Sequence, residues 1–599
     1  MSSGIAPRLS TALRAALAGL TTAAILGCAT QPRAVVSVAP VGGETATVPD
    51  ALPEVDLTGA LLYQLMAAEL ALQRNDPGAA FATYLSVARQ TRDPRIARRA
   101  TEIAVAGRAG PQALEAADLW RELAPSSREA RQAYALLLAG SGRLAEAEPL
   151  FALNLSESAE PAFELSQVQR TLARAEDQST ALAMLERLAA PLLKQPALAA
   201  DVQLTLAAGA QRAGQPQKAV EAARAALALR PNDERTVLAA AQLLALGRDD
   251  AAGRAQALQL LAEFLGRQPD AVEARLAYAR LLLADGQREA AVKQFDGLLT
   301  LNPQNLDALY ALGVLTLDDR PPRTRSREYF ERYLQALESA DGSGHAPEPA
   351  YMNMARIAED ERQFDEALLW LARVEDGPQL FLSRLRQAVV LAKAQRVDEA
   401  RKLLAELSPV DDEQRQQIAM AEGQVLREAR RYEESYQVLA RALESAPDDT
   451  ALLYDTAMAA ERLERIDEME KLLRRMMQLK PDDPHPYNAL GYTFADRNMR
   501  LSEAQELIEK ALELAPDDAH ILDSMGWVYF RMGNLSQARD YLERAYKLRP
   551  DAEVGAHLGE VLWAQGEHDA ARRIWREVRA DEPDNEILSA TLARLQVRL

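Results

Sequence analysis

The sequence has 599 residues, of which 69 are Lys or Arg and 88 are Asp or Glu, giving a formal net charge of −19 at pH 7. Affinity for nucleic acid comes mainly from neutralising phosphates, so this acidic balance argues against a nucleic-acid partner. Apolar residues recur at helical spacing along nearly the whole chain, and aromatic residues make up only 5%. We therefore predict an all-α protein.

The first 27 residues are typical of a signal peptide. Arg8 and Arg14 stand before or within an N-terminal stretch without acidic residues, and Ala15 begins an apolar run of 12 residues that ends at Leu26. A helix rising ~1.5 Å per residue needs ~20 apolar residues to cross a membrane. The run is too short to span one, and it fits the apolar region of a cleaved signal.

The only cysteine of the chain, Cys28, follows Ile25, Leu26 and Gly27. This order resembles the lipobox of bacterial lipoproteins, which implies that residues 1–27 are removed and that Cys28 carries acyl chains such as palmitate. The alternative is a buried or accidental cysteine in a cleaved signal. By resemblance to the sorting rule of enteric lipoproteins, Ala29 after the cysteine favours the outer membrane, with the protein on its periplasmic face.

A segment without helical period follows the predicted lipid site. Residues 29–56 contain four prolines and two adjacent glycines. Such a composition behaves as a coil rather than as a packed element. We predict that residues 28–56, beginning at the lipidated Cys28, form a flexible tether to the membrane.

The C-terminal third repeats with a period close to 34 residues. Its prolines are 33 to 35 residues apart, at Pro447, Pro481, Pro516, Pro550 and Pro583. Small residues keep the same period, at Gly491, Gly526 and Gly559 and at Ala504, Ala538 and Ala571. A proline just beyond a helix stops it, and small side chains at fixed places let two helices approach closely.

This period, together with the motifs NALGYTF and SMGWVYF, resembles the tetratricopeptide repeat (TPR), a helix-turn-helix unit of 34 residues. A glycine five residues before an alanine recurs along the chain, for example at Gly142 and Ala147 and at Gly533 and Ala538. The resemblance implies a TPR solenoid, a right-handed superhelix of about fourteen units. Neighbouring units would share one continuous core and leave a concave inner wall.

Two proline- and glycine-rich stretches interrupt the array. The first is LDDRPPRTRS, which contains Pro321 and Pro322, and the second is ESADGSGHAPEPA, which contains Gly342 and Gly344. We predict a hinge between residues 338 and 350, and hence an N-terminal TPR array at 57–340 and a C-terminal array at 350–599. The alternative is a longer surface loop inside one solenoid.

The sequence contains none of the common hydrolase, nucleotide-binding or zinc-protease motifs. Its five histidines form no pair at i, i+4. His485 and His520 occupy equivalent repeat positions, which suggests solvated groove residues rather than a metal pair. Adjacent acids such as Asp517 and Asp518 are better explained as helix caps than as a glycosidase pair. We predict no enzyme activity, no catalytic residue, no metal and no cofactor.

The TPR resemblance implies that the first helix of each pair faces the concave wall, and that residues one, four and five after the repeat glycine point inward. At these positions we predict a binding groove formed by Tyr492, Asp496, Trp527, Phe530, Arg531, Glu560 and Trp563. Aromatic and arginine side chains supply most binding hot spots. The alternative for the large aromatics is packing between repeats.

The block Leu57 to Val105, together with the lipobox and the array that fills the chain, looks like the large TPR lipoproteins that act as adaptors for a carboxyl-terminal processing protease. The resemblance implies two kinds of protein partner, a periplasmic serine protease of that type and its peptidoglycan hydrolase substrates. Contact with the membrane would be through the lipid anchor. The alternatives are a scaffold for exopolysaccharide secretion or envelope assembly and, more remotely, an envelope enzyme.

Overall fold

The structure is a computed structural model of the full chain, and it describes residues 52–246, 251–317, 323–340, 344–582 and 585–599. The predicted signal peptide, Cys28 and the tether up to residue 51 lie outside the described residues. So do Pro321, Pro322, Gly342 and Pro583.

The described part of the chain contains 31 α-helices and no strand. The helices are α1 (Gly59–Gln73), α2 (Pro77–Thr91), α3 (Pro94–Ala106), α4 (Gly110–Leu123), α5 (Arg128–Gly140), α6 (Leu144–Ser156), α7 (Pro161–Leu172), α8 (Gln178–Leu193), α9 (Pro196–Arg212), α10 (Pro216–Leu229), α11 (Glu234–Ala245), α12 (Ala251–Arg267), α13 (Val272–Ala284), α14 (Arg288–Leu301), α15 (Leu306–Leu315), α16 (Thr324–Glu338), α17 (Glu348–Asp360), α18 (Phe364–Ala372), α19 (Leu380–Lys393), α20 (Val397–Ala405), α21 (Asp412–Glu428), α22 (Tyr432–Ser445), α23 (Thr450–Arg462), α24 (Ile466–Leu479), α25 (Pro484–Asp496), α26 (Leu501–Leu514), α27 (Ala519–Arg531), α28 (Leu535–Leu548), α29 (Ala552–Ala564), α30 (His568–Asp581) and α31 (Glu586–Leu595). The prediction of an all-α TPR solenoid is confirmed.

The helices follow one another as hairpins, with odd-numbered helices first and even-numbered helices second. Many first helices begin after an aspartate, whose carboxylate accepts hydrogen bonds from the free backbone N–H groups of the first turn. Asp449, Asp483 and Asp518 cap α23, α25 and α27 in this way. The acidic repeat turns therefore act as helix caps, as the sequence predicts.

The turn inside most hairpins requires a left-handed residue. Gly142, Gly286 and Gly533 take φ values of 80°, 79° and 83° at this place, where glycine carries no steric penalty. The alanines five residues later, such as Ala147 and Ala538, are fully buried between the two helices. The glycine and alanine pattern thus marks the turn and the tight contact of one hairpin.

Small residues on the first helices allow close packing against the second. A Cβ atom added to Gly491 would lie 2.6 Å from Ile508, and one added to Gly526 would lie 2.6 Å from Leu542. Both glycines are in the middle of their helices. The repeat glycine is therefore required by the distance between α25 and α26 and between α27 and α28, rather than by a turn.

By their internal contacts the described residues form two compact units, one ending at Ala308 and the other beginning at Leu309. The core of each unit is a chain of aliphatic and alanine clusters between successive hairpins. The predicted hinge at 338–350 includes residues outside the described ranges and stays a prediction. Within the described residues, no helix is both long and apolar enough to cross a membrane.

Candidate binding surface

The first helices α25, α27 and α29 lie side by side at the C-terminal end of the second unit. We refer to the surface that the odd-numbered helices of this unit form as the first-helix face. Gly491, Gly526 and Gly559 fix the rotation of the three helices, because each of them is pressed against its hairpin partner. This rotation places the residues one, four and five positions after each glycine as described below.

Trp527 lies at the centre of this region and is only 4% exposed. Its indole stacks on the imidazole of His557, with ring centres 4.1 Å apart and an angle of 21° between the planes. It also stacks on Phe530, with ring centres 5.0 Å apart. The indole N–H donates a hydrogen bond to Asp496 at 3.3 Å. Trp527 therefore links α25, α27 and α29.

Arg531 caps the C-terminal end of the neighbouring first helix. Its guanidinium donates hydrogen bonds to the backbone carbonyls of Ala495 at 3.1 Å and of Asp496 at 2.7 Å. The guanidinium carbon also lies 5.7 Å from the centre of the Trp527 ring. A cation at the carbonyl end of α25 is stabilised by the helix dipole.

Tyr492 reaches from α25 past α27 to α29. Its hydroxyl donates a hydrogen bond to Glu553 at 3.2 Å, and its ring centre lies 6.3 Å from that of His557. Burial and the nearby carboxylates of Glu553 and Asp496 raise the pKa of Tyr492 well above 10. The hydroxyl therefore stays a hydrogen-bond donor.

His557 and Asp523 form a buried ion pair that the sequence analysis did not single out. The Nδ1 atom of His557 is 3.0 and 3.1 Å from the two carboxylate oxygens of Asp523, and both side chains are almost fully buried. Burial by itself lowers the pKa of His557, but the carboxylates of Asp523, Glu553 and Glu560 outweigh it and raise this pKa to about 9. The imidazole is therefore charged at neutral pH.

Two further carboxylates surround this pair. Burial, and next the Asp523 carboxylate, raise the pKa of Glu553 above its usual value. Glu560 is 3% exposed and accepts a hydrogen bond at 2.5 Å from Arg594 of α31, the last helix. We refer to Tyr492, Asp523, Glu553, His557 and Glu560 as the C-terminal polar cluster. It ties together four first helices, α25 to α31.

Trp563 points away from this cluster. Its ring centre lies 4.0 Å from that of His568 and 5.7 Å from that of Trp575, both on the second helix of the same hairpin. Of the seven predicted groove residues, six thus join one network and Trp563 packs within its own hairpin. None of these contacts tests partner binding, which stays a prediction.

The two histidines at equivalent repeat positions, His485 and His520, do not join the cluster by any described contact. The Nε2 atom of His520 lies 3.0 Å from a guanidinium nitrogen of Arg549, and the backbone N–H of His485 donates to Asp483. In the residues that the structure describes, no group of three or more His, Cys, Asp or Glu side chains has the geometry of a metal site.

Stacked helical hairpins whose first helices share one face define a repeat scaffold. Tetratricopeptide repeat profiles match residues 272–315, 420–484, 485–551 and 524–586. The TPR repeat-containing protein PA4667 of Pseudomonas aeruginosa is 35% identical over 556 residues, which cover 92% of this chain and 91% of that protein. The chain therefore belongs to the family of TPR repeat proteins.

Solved structures share the fold at low identity. Yeast Tom70 is 15% identical, with a TM-score of 0.34, and the match covers 90% of this chain and 99% of that one. The APC/C hetero-tetramer Cut9–Hcn1 is 15% identical, with a TM-score of 0.33, and the match covers 89% of this chain and 96% of that one. TPR repeats indicate a scaffold for protein–protein interaction, in a family that is typically non-enzymatic.

Proposed function

We propose that this protein is an outer-membrane lipoprotein, held through Cys28 on the periplasmic side, that brings a carboxyl-terminal processing protease together with its cell-wall hydrolase substrates. The lipobox-like order before Cys28 and the resemblance of the block Leu57 to Val105 support this role. The peptidase chemistry would belong to the partner. An adaptor of this kind raises the local concentration of protease and substrate without new chemistry.

One structural feature carries the binding role, the apolar outer face of α1. Leu62, Tyr63, Met66 and Leu70 are 46%, 74%, 57% and 48% exposed on this helix. A terminal repeat of a solenoid normally turns a polar face to solvent. A helix with apolar residues on both sides is normally covered. We infer that a protein partner covers this face.

The test is capture of the protease by the full-length chain and by a variant carrying Met66→Glu and Leu70→Glu. We expect the variant to lose at least tenfold in affinity for the protease, because two charges would be placed in an apolar interface. Leu369→Glu is the matched control, since Leu369 is 70% exposed on α18 and is expected to leave capture unchanged.

The partners recovered from envelope extract distinguish the alternatives. Recovery of a processing protease together with a peptidoglycan hydrolase supports the adaptor role. Recovery of exopolysaccharide synthase or porin components instead, with no protease, contradicts it and favours an assembly scaffold.

A further inference from the structure

The first-helix face changes character along the second unit. At the C-terminal end it carries the C-terminal polar cluster, whereas on α21, α23 and α25 the corresponding positions are uncharged. These positions lie three residues before and one residue after Gly423, Ala457 and Gly491, so two of them, four residues apart, share one face of each helix. We refer to these residues as the uncharged stripe: Met420, Gln424, Tyr454, Met458, Asn488 and Tyr492.

The uncharged stripe belongs to the interior edge of the unit rather than to its open surface. All six side chains are partly buried. Met420 packs against the cluster around Leu452, and Tyr454, Met458 and Tyr492 pack against the cluster around Phe494. The stripe is therefore held in place by the core on three successive first helices.

Two amide groups of the stripe carry buried polar atoms without a hydrogen-bond partner. They are the Nε2 atom of Gln424, a donor, and the Oδ1 atom of Asn488, an acceptor. Leaving such an atom unpaired costs about 1–3 kcal/mol, so most buried polar atoms have partners. In contrast, Asp523 and Glu560, at the corresponding positions of α27 and α29, are both paired.

We propose that the uncharged stripe binds an extended polypeptide segment through its main chain. The amide of Gln424 donates to a peptide carbonyl, and the amide oxygen of Asn488 accepts from a peptide N–H. The inference rests on the scaffold function and deepens it, because it names the class of ligand, a segment without secondary structure. Only such a segment offers free N–H and C=O groups along its length.

The dimensions of the stripe fit this ligand. Packed helices are ~8–10 Å apart, so α21 and α25, with α23 between them, are separated by roughly 20 Å. An extended chain rises ~3.3 Å per residue, and about six residues therefore reach from Gln424 to Asn488. Met420, Met458 and Tyr454 carry no charge and contact peptide side chains without selecting a particular sequence.

The test compares the purified full-length chain with a variant carrying Gln424→Met and Asn488→Leu. The probes are a fluorescent ten-residue peptide of Ala, Leu, Ser, Thr and Tyr with blocked ends, a scrambled version, and a version N-methylated at alternate residues. We expect the peptide and its scramble to bind with affinities within threefold of each other. N-methylation, which removes peptide donors, lowers the affinity at least tenfold.

The double variant is expected to bind the peptide at least tenfold more weakly while its melting temperature stays unchanged or rises, because two unpaired buried polar atoms are removed. A merely structural role for the amides would lower both quantities. Gln437→Met is the control, since Gln437 is an exposed amide on α22 and its loss leaves binding unchanged.

Three results would overturn the proposal: binding that depends on the peptide sequence, binding that survives N-methylation, or a double variant that binds like the control. Absence of any peptide binding by the unaltered chain would overturn it as well. Protease capture that persists in that case leaves the adaptor role standing, so the two proposals fail separately.

Discussion

At the scale of single residues, the C-terminal polar cluster depends on one proton. His557 and Asp523 are exactly one 34-residue period apart in the sequence, so stacking of α27 and α29 brings them together. A search for histidine pairs within one helix misses this arrangement, whereas a search at the repeat period finds it. What the sequence cannot give is the burial, which depends on Trp527 and Tyr492 covering the pair.

The charge of His557 makes stability depend on pH. Its pKa is raised from 6.5 to about 9 in the folded chain. The pair therefore stabilises the fold fully below pH 6.5, and this stabilisation is lost as the pH rises through about 9. We expect the unfolding free energy of the second unit to fall by about 2 kcal/mol over this window.

Urea unfolding at pH 6.5 and pH 9, followed by tryptophan fluorescence, measures this change. His557→Gln keeps a polar ring-sized group but cannot be protonated, so its stability should vary less between the two pH values. An equal pH dependence in the variant and in the unaltered chain would show that other groups are responsible.

At the scale of the helices, the repeat was readable where glycine marks the turn and hidden where it does not. Gly142, Gly533 and Gly566 occupy the left-handed turn position, but Arg362 and Glu464 take the same conformation, with φ values of 60° and 59°. Side chains other than glycine are tolerated there at a cost of about 1–2 kcal/mol. For this reason the boundaries of the middle hairpins could not be predicted from turn glycines.

The close contact of α27 with α28 gives a prediction at this scale. A Cβ atom at position 526 would lie 2.6 Å from Leu542 and 3.0 Å from the backbone oxygen of Ala538. Because the backbone cannot move aside cheaply, Gly526→Ala should destabilise the fold by about 2 kcal/mol.

Gly140→Ala is the control for this substitution. Gly140 is also helical, and a Cβ atom there meets nothing within 4 Å, so this change should be neutral or stabilise by up to about 1 kcal/mol. Melting of the two variants measures the difference. Equal melting temperatures would mean that the hairpin contact is looser than described.

The groove prediction shows the limit of reading a face from spacing. The repeat register correctly places Trp527, Phe530 and Glu560 on the first-helix face. It does not reveal that Trp527 and Glu560 are almost fully buried by contacts between repeats. Helical spacing gives the direction of a side chain, but the neighbouring helix decides how much of it stays exposed.

At the scale of the whole molecule, the all-α repeat architecture follows from the period alone, because a single hairpin cannot bury its apolar side and must stack. The division into two units is not readable in the same way. It depends on how many contacts cross each part of the chain, which the local sequence does not determine.

The membrane anchor gives a further prediction at this scale. Cys28→Ser removes the predicted acylation site, and several acyl chains are needed for stable anchoring. We expect this variant to move from the membrane to the soluble fraction with an unchanged circular dichroism spectrum. Sedimentation with the outer membrane after a high-salt wash would contradict a lipid anchor.

The most direct test of the adaptor role is a reconstituted cleavage reaction with purified protease, peptidoglycan hydrolase and this chain. We predict that the chain alone leaves the hydrolase intact and that it increases the rate of cleavage by the protease at least tenfold. No change in the protease rate, or cleavage of the hydrolase by this chain without the protease, would contradict the account.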